Sequence, residues 1–140
     1  MASDEHADPG PDRPGLRVLV VEDDPDLAAG LARWLGRCGH EARVAPDGPT
    51  ALRAASSRPP DVVLLDLGLP GMDGLEVARR VHDEVAAAAA KAPLLIAVTG
   101  RHSDADRRRS EEAGIDLHLT KPVDVGLLHR VLRRFQAIIA

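Results

Sequence analysis

Three short segments of this chain, LRVLVV at 16–21, DVVLLDL at 61–67 and PLLIAV at 93–98, are almost unbroken aliphatic runs of strand length. A strand with one wet face alternates apolar and polar residues, because successive side chains point to opposite sides. A run without alternation must be covered on both faces, which is the environment of a parallel sheet between two layers of helices. HEARVA (40–45) and IDLHLT (115–120) are weaker and more alternating, so they are expected nearer the sheet edges.

Between these runs lie segments with helical spacing and recognisable ends. Asp24 followed by Pro25 reads as an N-cap with proline in the first turn, and Leu27, Leu31, Trp34, Leu35 and Cys38 recur at helical spacing until Gly39 stops the helix. A shorter helix follows Gly48 and Pro49. A third starts at Asp73, with Glu76 as its capping-box partner, and runs through Val77, Ala78, Val81 and Val85. A fourth opens at Ser103, with Asp106 at the same offset, and closes at Gly114; the last runs from Asp124 through Leu128, Leu132, Phe135 and Ile139. Strand and helix thus alternate five times, which predicts a parallel α/β sheet with right-handed crossovers and five helices on its two faces.

The rest of the composition narrows the function. The 140 residues, 44% hydrophobic, suit one core and one domain, expected over residues 16–140. Residues 1–15 carry three prolines and four acids without a large aliphatic side chain, and are read as a flexible N-terminal tail. A net charge of -4 and a pI near 5.8 argue against direct nucleic-acid binding. The single cysteine, Cys38, excludes an internal disulfide and a cysteine metal site. With no membrane-length apolar stretch and no signal-type N-terminus, the protein is expected in the cytoplasm, away from membranes.

In an open parallel sheet, chemistry gathers at the carboxyl ends of the strands. Those ends carry Glu22 and Asp23; Asp66 and then GLPGMDG; Thr99 and Gly100; and Lys121 before Pro122. Carboxylates 4 Å apart repel by about 1 kcal/mol in water and by several times that near a low-dielectric surface. A hard cation such as Mg²⁺, which prefers oxygen ligands, would offset that repulsion. Asp24 is the helix cap and stands outside this group. The Gly68, Gly71 and Gly74 spacing lacks the fingerprint of a dinucleotide site or P-loop and is read as turn geometry.

VLVVEDDPD, DVVLLDLGLPGMDG, IAVTG and LTKP, in this order and spacing, resemble the receiver domain of two-component response regulators, over residues 16–139. The resemblance implies a flavodoxin-like three-layer sandwich with strand order 2-1-3-4-5. It also implies that Asp66 is the phosphoacceptor and that Asp23, Glu22, Asp66 and the backbone carbonyl of Gly68 serve Mg²⁺. Thr99 and Lys121 would hold phosphoryl oxygens. The phosphate would come from a histidine kinase or a histidine phosphotransfer protein, and the domain would signal through protein contacts without turning over an external metabolite. Carboxylate as nucleophile, with positive charge around the transferring group, is what phosphoryl transfer requires.

Departures from the family pattern matter as well. His118, three before Lys121, stands where the family commonly has an aromatic switch residue; it is read either as a switch whose coupling is pH-sensitive or weak, or as a partly exposed strand histidine without a role. Gly68 and Arg101 stand where the family varies the lifetime of the phosphoryl group. Arg107, Arg108 and Arg109 form a basic run, read as a solvated face or a docking contact. Alternatives are a receiver-like docking module that works without phosphorylation, a dehalogenase-type phosphatase, and a flavin binder. The phosphatase would want an acid where Gly68 stands. The flavin binder would want a hydroxyl- and glycine-rich loop where this chain has acids.

Overall fold

The structure, a computed structural model, describes residues 15–69, 71, 73–89, 91–100, 108 and 111–139. The strands are β1 (Arg17–Val21), β2 (Glu41–Ala45), β3 (Val62–Asp66), β4 (Leu94–Thr99) and β5 (Leu117–Thr120). The helices with described bounds are α1 (Pro25–Arg37), α2 (Gly48–Ser57), α3 (Gly74–Ala89) and α4 (Val125–Ile139). All strand pairs are parallel and the order is β2-β1-β3-β4-β5, so the two alternating segments do form the edges. Most of the expected helix from Ser103 to Gly114 lies outside the described residues, as do the tail residues 1–14; Arg108, Glu111 and Glu112 are helical.

The unbroken runs work by dividing alternate residues between two cores. Leu19, Val21, Val63, Leu65, Leu95 and Ala97 pack against Ala51 and Ala55 of α2 and Val77, Val81 and Val85 of α3. Val18, Val20, Val62, Leu64, Ile96 and Leu119 pack on the other side against Leu31 and Leu35 of α1 and Leu128 and Leu132 of α4. Full burial of each valine, leucine or isoleucine among them is worth roughly 1.5–3 kcal/mol.

The helix starts follow their caps. Asp24 Oδ1 accepts from the Asp26 and Leu27 amides, Asp47 from Thr50, and Asp124 from Leu127, each cap contributing about 1 kcal/mol. At α3, Asp73 accepts from the Leu75 amide at 3.0 Å, but Glu76 departs from the expected box and turns its carboxylate to Arg79 and Arg80. On this exposed face the two arginines, one turn ahead, offer the carboxylate charged partners. Gly39 ends α1 at φ 91°, in the left-handed region that glycine enters without strain.

Two close approaches pin the ends of the sheet. A Cβ on Gly74 would lie 2.7 Å from the Leu67 carbonyl oxygen and 2.8 Å from its Cα, so α3 starts directly against the strand end that follows Asp66. At the opposite end, buried His40 accepts the Leu16 amide on Nδ1 at 3.1 Å and thereby fixes where the chain enters β1.

Gly74→Ala should therefore cost about 2 kcal/mol, as overpacking against immovable backbone does, and lower the melting temperature by roughly 6 °C. His40 also has a lowered pKa, chiefly through burial and then through His129 and Arg133. A histidine depressed in the folded state stays neutral there while the unfolded chain takes up a proton. Its contribution is complete above the unfolded value of about 6.5 and is lost as pH falls below it. Melting curves at about pH 7.5 and pH 5.5 should show a drop that shrinks in His40→Gln, whose amide oxygen can accept from Leu16 without titrating.

Candidate functional site

The phase of the strands decides which side chains meet at the sheet's carboxyl edge. Val18 and Val20 of β1, and Val62 and Leu64 of β3, face the α1–α4 layer. The next residues in that phase are Glu22 and Asp66, and Lys121 follows Leu119 in the same way. The register pairs Val21 with Leu65, so Glu22 and Asp66 come level on adjacent strands.

Glu22 and Asp66 are 5% and 6% exposed, whereas Asp23 is exposed. Oxygens from the three carboxylates all lie within 4.8 Å of one another. Lys121 Nζ lies 3.0 Å from Asp66 Oδ2 and 3.8 Å from Glu22 Oε1. The other oxygen of Asp66, Oδ1, accepts the Gly68 amide at 2.8 Å. Asp66 is thus held at both oxygens, which sets the plane of its carboxylate.

Burial raises the pKa of Glu22, and the Asp66 charge adds to the rise; the Asp24 amide, donating to Oε2 at 3.1 Å, and Lys121 oppose it. Burial lowers the pKa of Lys121, but the hydrogen bond to Asp66 and the charges of Asp66, Glu22 and Asp23 outweigh it and leave the ammonium strengthened. Among the described residues one lysine therefore faces three acids, which leaves excess negative charge. Crowded oxygen donors with an exposed member suit a hard divalent cation, and the chemistry of the donor set fits Mg²⁺.

Glu22, Asp23, Asp66 and Lys121, named from strand ends scattered along the sequence, are brought together. Thr99 is the half-buried last residue of β4, one beyond Val98, the register partner of Asp66. Its carbonyl accepts the Lys121 amide at 2.9 Å, tying the two strand ends. His118 pairs with Ala97 and Thr120 with Thr99, so His118 sits on the sheet face that Thr99 shares, two residues down the adjacent strand. Two roles escaped the sequence: the Gly68 amide holding Asp66, and the Asp24 amide holding Glu22. The only available signal was position, since each is the second residue after its carboxylate and closes a short turn back onto it. Of the three spaced glycines, Gly68 lies in a turn and Gly71, at φ 88°, at a bend, whereas Gly74 opens α3. Arg101, Arg107 and Arg109 lie outside the described residues. Among the described residues no helix is long and apolar enough to cross a membrane.

The profile of the response regulator receiver domain matches residues 18–133. The chain is 40% identical over 121 residues to the sensory transduction protein RegX3 of Mycobacterium tuberculosis, covering 84% of this chain and 51% of that protein. It is 38% identical over 126 residues to the response regulator PleD of Caulobacter vibrioides, covering 88% and 27%. It therefore spans about half, or less, of the length of these curated relatives. Among solved structures, the receiver domain of Ssk1 from Saccharomyces cerevisiae, crystallised with the histidine phosphotransfer protein Ypd1, aligns with a TM-score of 0.80 at 26% identity, over 91% of this chain and 92% of that one. A CheY-like receiver domain protein of Methanospirillum hungatei aligns with a TM-score of 0.78 at 26% identity, over 90% and 99%. Fold, clustered acids and a profile match over most of the sequence converge, and the chain belongs to the response regulator receiver domain family.

Proposed function

We propose that this domain is a phosphoacceptor: Asp66 takes a phosphoryl group from a phosphohistidine on a histidine kinase or phosphotransfer protein, and the modified domain signals through protein contacts. The observation that carries this reading is the fixed Asp66 carboxylate, with Lys121 at 3.0 Å and two further acids within 4.8 Å at the open edge of the sheet. A free oxygen electron pair of Asp66 forms the new O–P bond as the N–P bond of the phosphohistidine breaks, and that electron pair leaves with the imidazole nitrogen. A carboxylate is its own nucleophile, so no separate base is needed. Lys121 supplies positive charge where it builds on the transferring oxygens, and the Gly68 amide keeps the carboxylate aimed. Glu22, Asp23, Asp66 and the Gly68 carbonyl would hold Mg²⁺, which when bound supplies further charge compensation.

Thr99 is read as the hydroxyl that closes on the phosphoryl group, and His118, on the same sheet face, as the residue that carries the change toward β5. Two populated conformations, tilted by the acyl phosphate, would make this a switch. The domain modifies itself and turns over no external metabolite. In a receiver-like docking module the same carboxylates would take no phosphoryl group.

Intact-protein mass spectrometry after incubation with acetyl phosphate should show one phosphoryl adduct on the wild type, dependent on Mg²⁺ and absent from Asp66→Asn. No adduct on the wild type, together with no binding of beryllofluoride, would establish the docking module instead. Lys121→Ala should separate two roles of the ammonium. Mg²⁺ binding measured by calorimetry should tighten several-fold, because a cation beside the carboxylates no longer opposes the dication. The rate of phosphorylation should meanwhile fall about 10²-fold, the scale for losing one preorganised donor. Weaker Mg²⁺ binding in this variant would show that Lys121 organises the acids more than it competes for them.

A further inference from the structure

On a chain of net charge -4, one face is basic. Arg33 and Arg37 on α1, and Arg130, Arg133 and Arg134 on α4, are all exposed, and none forms an ion pair with another described residue. α4 contains no acid between Val125 and Ile139. Between the two helices runs a groove of about 370 Å³ lined by Trp34, Arg37, Cys38, Val125, Gly126 and His129. A second hollow of about 510 Å³ continues from His129 along α4 past Arg130, Arg133 and Arg134. His129 meets Trp34 edge to face, with centroids 6.2 Å apart, and so joins the two.

The N-terminal segment enters the fold beside this face. A Cβ on Gly15 would lie 1.7 Å from the Gly39 carbonyl oxygen, so the chain is pressed against the end of α1, one residue from Cys38 in the groove wall. Leu16, next along, is bonded to His40, whose electrostatic neighbours include His129 and Arg133 of α4. Residues 1–14 contain Asp4, Glu5, Asp8 and Asp12 against the single Arg13. Fourteen residues can reach at most about 45 Å from Gly15, enough to span either hollow, and tethering gives the segment an effective concentration of about millimolar.

We propose that the acidic segment 1–14 docks in cis on the basic α1–α4 groove. Charge complementarity, the point of emergence at Gly15 and the length of the segment select it over other occupants. While docked it screens the five arginines and the Cys38 wall from other anionic partners.

The test uses the full chain, with a nitroxide on Ala7→Cys in a Cys38→Ser background, and reads paramagnetic broadening of backbone amides. Arg37, Gly126, His129 and Arg130 should lose more than half their intensity at low salt. Broadening should fall at least twofold at about 0.5 M salt, where charges are screened within a few ångströms. It should fall equally when the tail acids are neutralised by Asp4→Asn, Glu5→Gln, Asp8→Asn and Asp12→Asn, or the groove by Arg130→Gln, Arg133→Gln and Arg134→Gln. Broadening that neither neutralisation changes would reflect tether proximity alone and overturn the proposal. The same broadening between spin-labelled and isotope-labelled chains in a mixture would also overturn it, assigning the groove to a second copy.

Discussion

Everything in this domain depends on central strands that are buried on both faces. Within β1, β3 and β4 a charged side chain would enter one of two dry cores, at a desolvation cost that no described partner there could offset. Polar chemistry is therefore confined to the strand ends. The phase of the alternation then decides which side each end residue faces. Val20 and Leu64 lie in the α1–α4 core, so Glu22 and Asp66 emerge on that same side, level with each other. Glu22 and Asp66 stand at the point where the sheet stops being dry.

The electrostatics of the site follow from that placement. Burial and the neighbouring Asp66 charge make ionisation of Glu22 costly, while the same charges strengthen the ammonium of Lys121. Among the described residues a single ammonium faces three carboxylates, so the cluster is undercompensated and suits a hard cation. Short backbone contacts from Gly68 and Asp24 limit how far the carboxylates can turn away from one another.

Close backbone contacts organise both ends of the sheet. Gly74 against Leu67 fixes the start of α3 behind the loop that leaves Asp66, and Gly15 against Gly39 fixes where the N-terminal segment joins the fold. In both cases the absence of a Cβ permits the approach, so the glycine reports packing more than freedom in φ. The basic α1–α4 face owes its character to the same economy. Both helices bury apolar stripes through Leu31, Leu35, Leu128 and Leu132, and their arginines are left to the outer surface.

The fold was largely legible in the chain. Unbroken aliphatic runs mark strands covered on both faces, and alternating runs mark edges, because burial acts on each residue locally. Helix starts were equally legible where an Asp cap sits beside a proline or glycine. Glu76 was not, since the spacing that suits a capping box also suits an ion pair with Arg79 and Arg80. Sequence named Glu22, Asp23, Asp66, Thr99 and Lys121 as residues at strand ends, and the order of the motifs gave the family. Only tertiary structure decided that Lys121 lies between Asp66 and Glu22, that the Gly68 and Asp24 amides hold those carboxylates, and that Thr99 and His118 share a sheet face. Those facts depend on strand register and on how far each chain end overhangs its neighbour, and they arise from pairings between segments far apart in sequence, which no local pattern encodes.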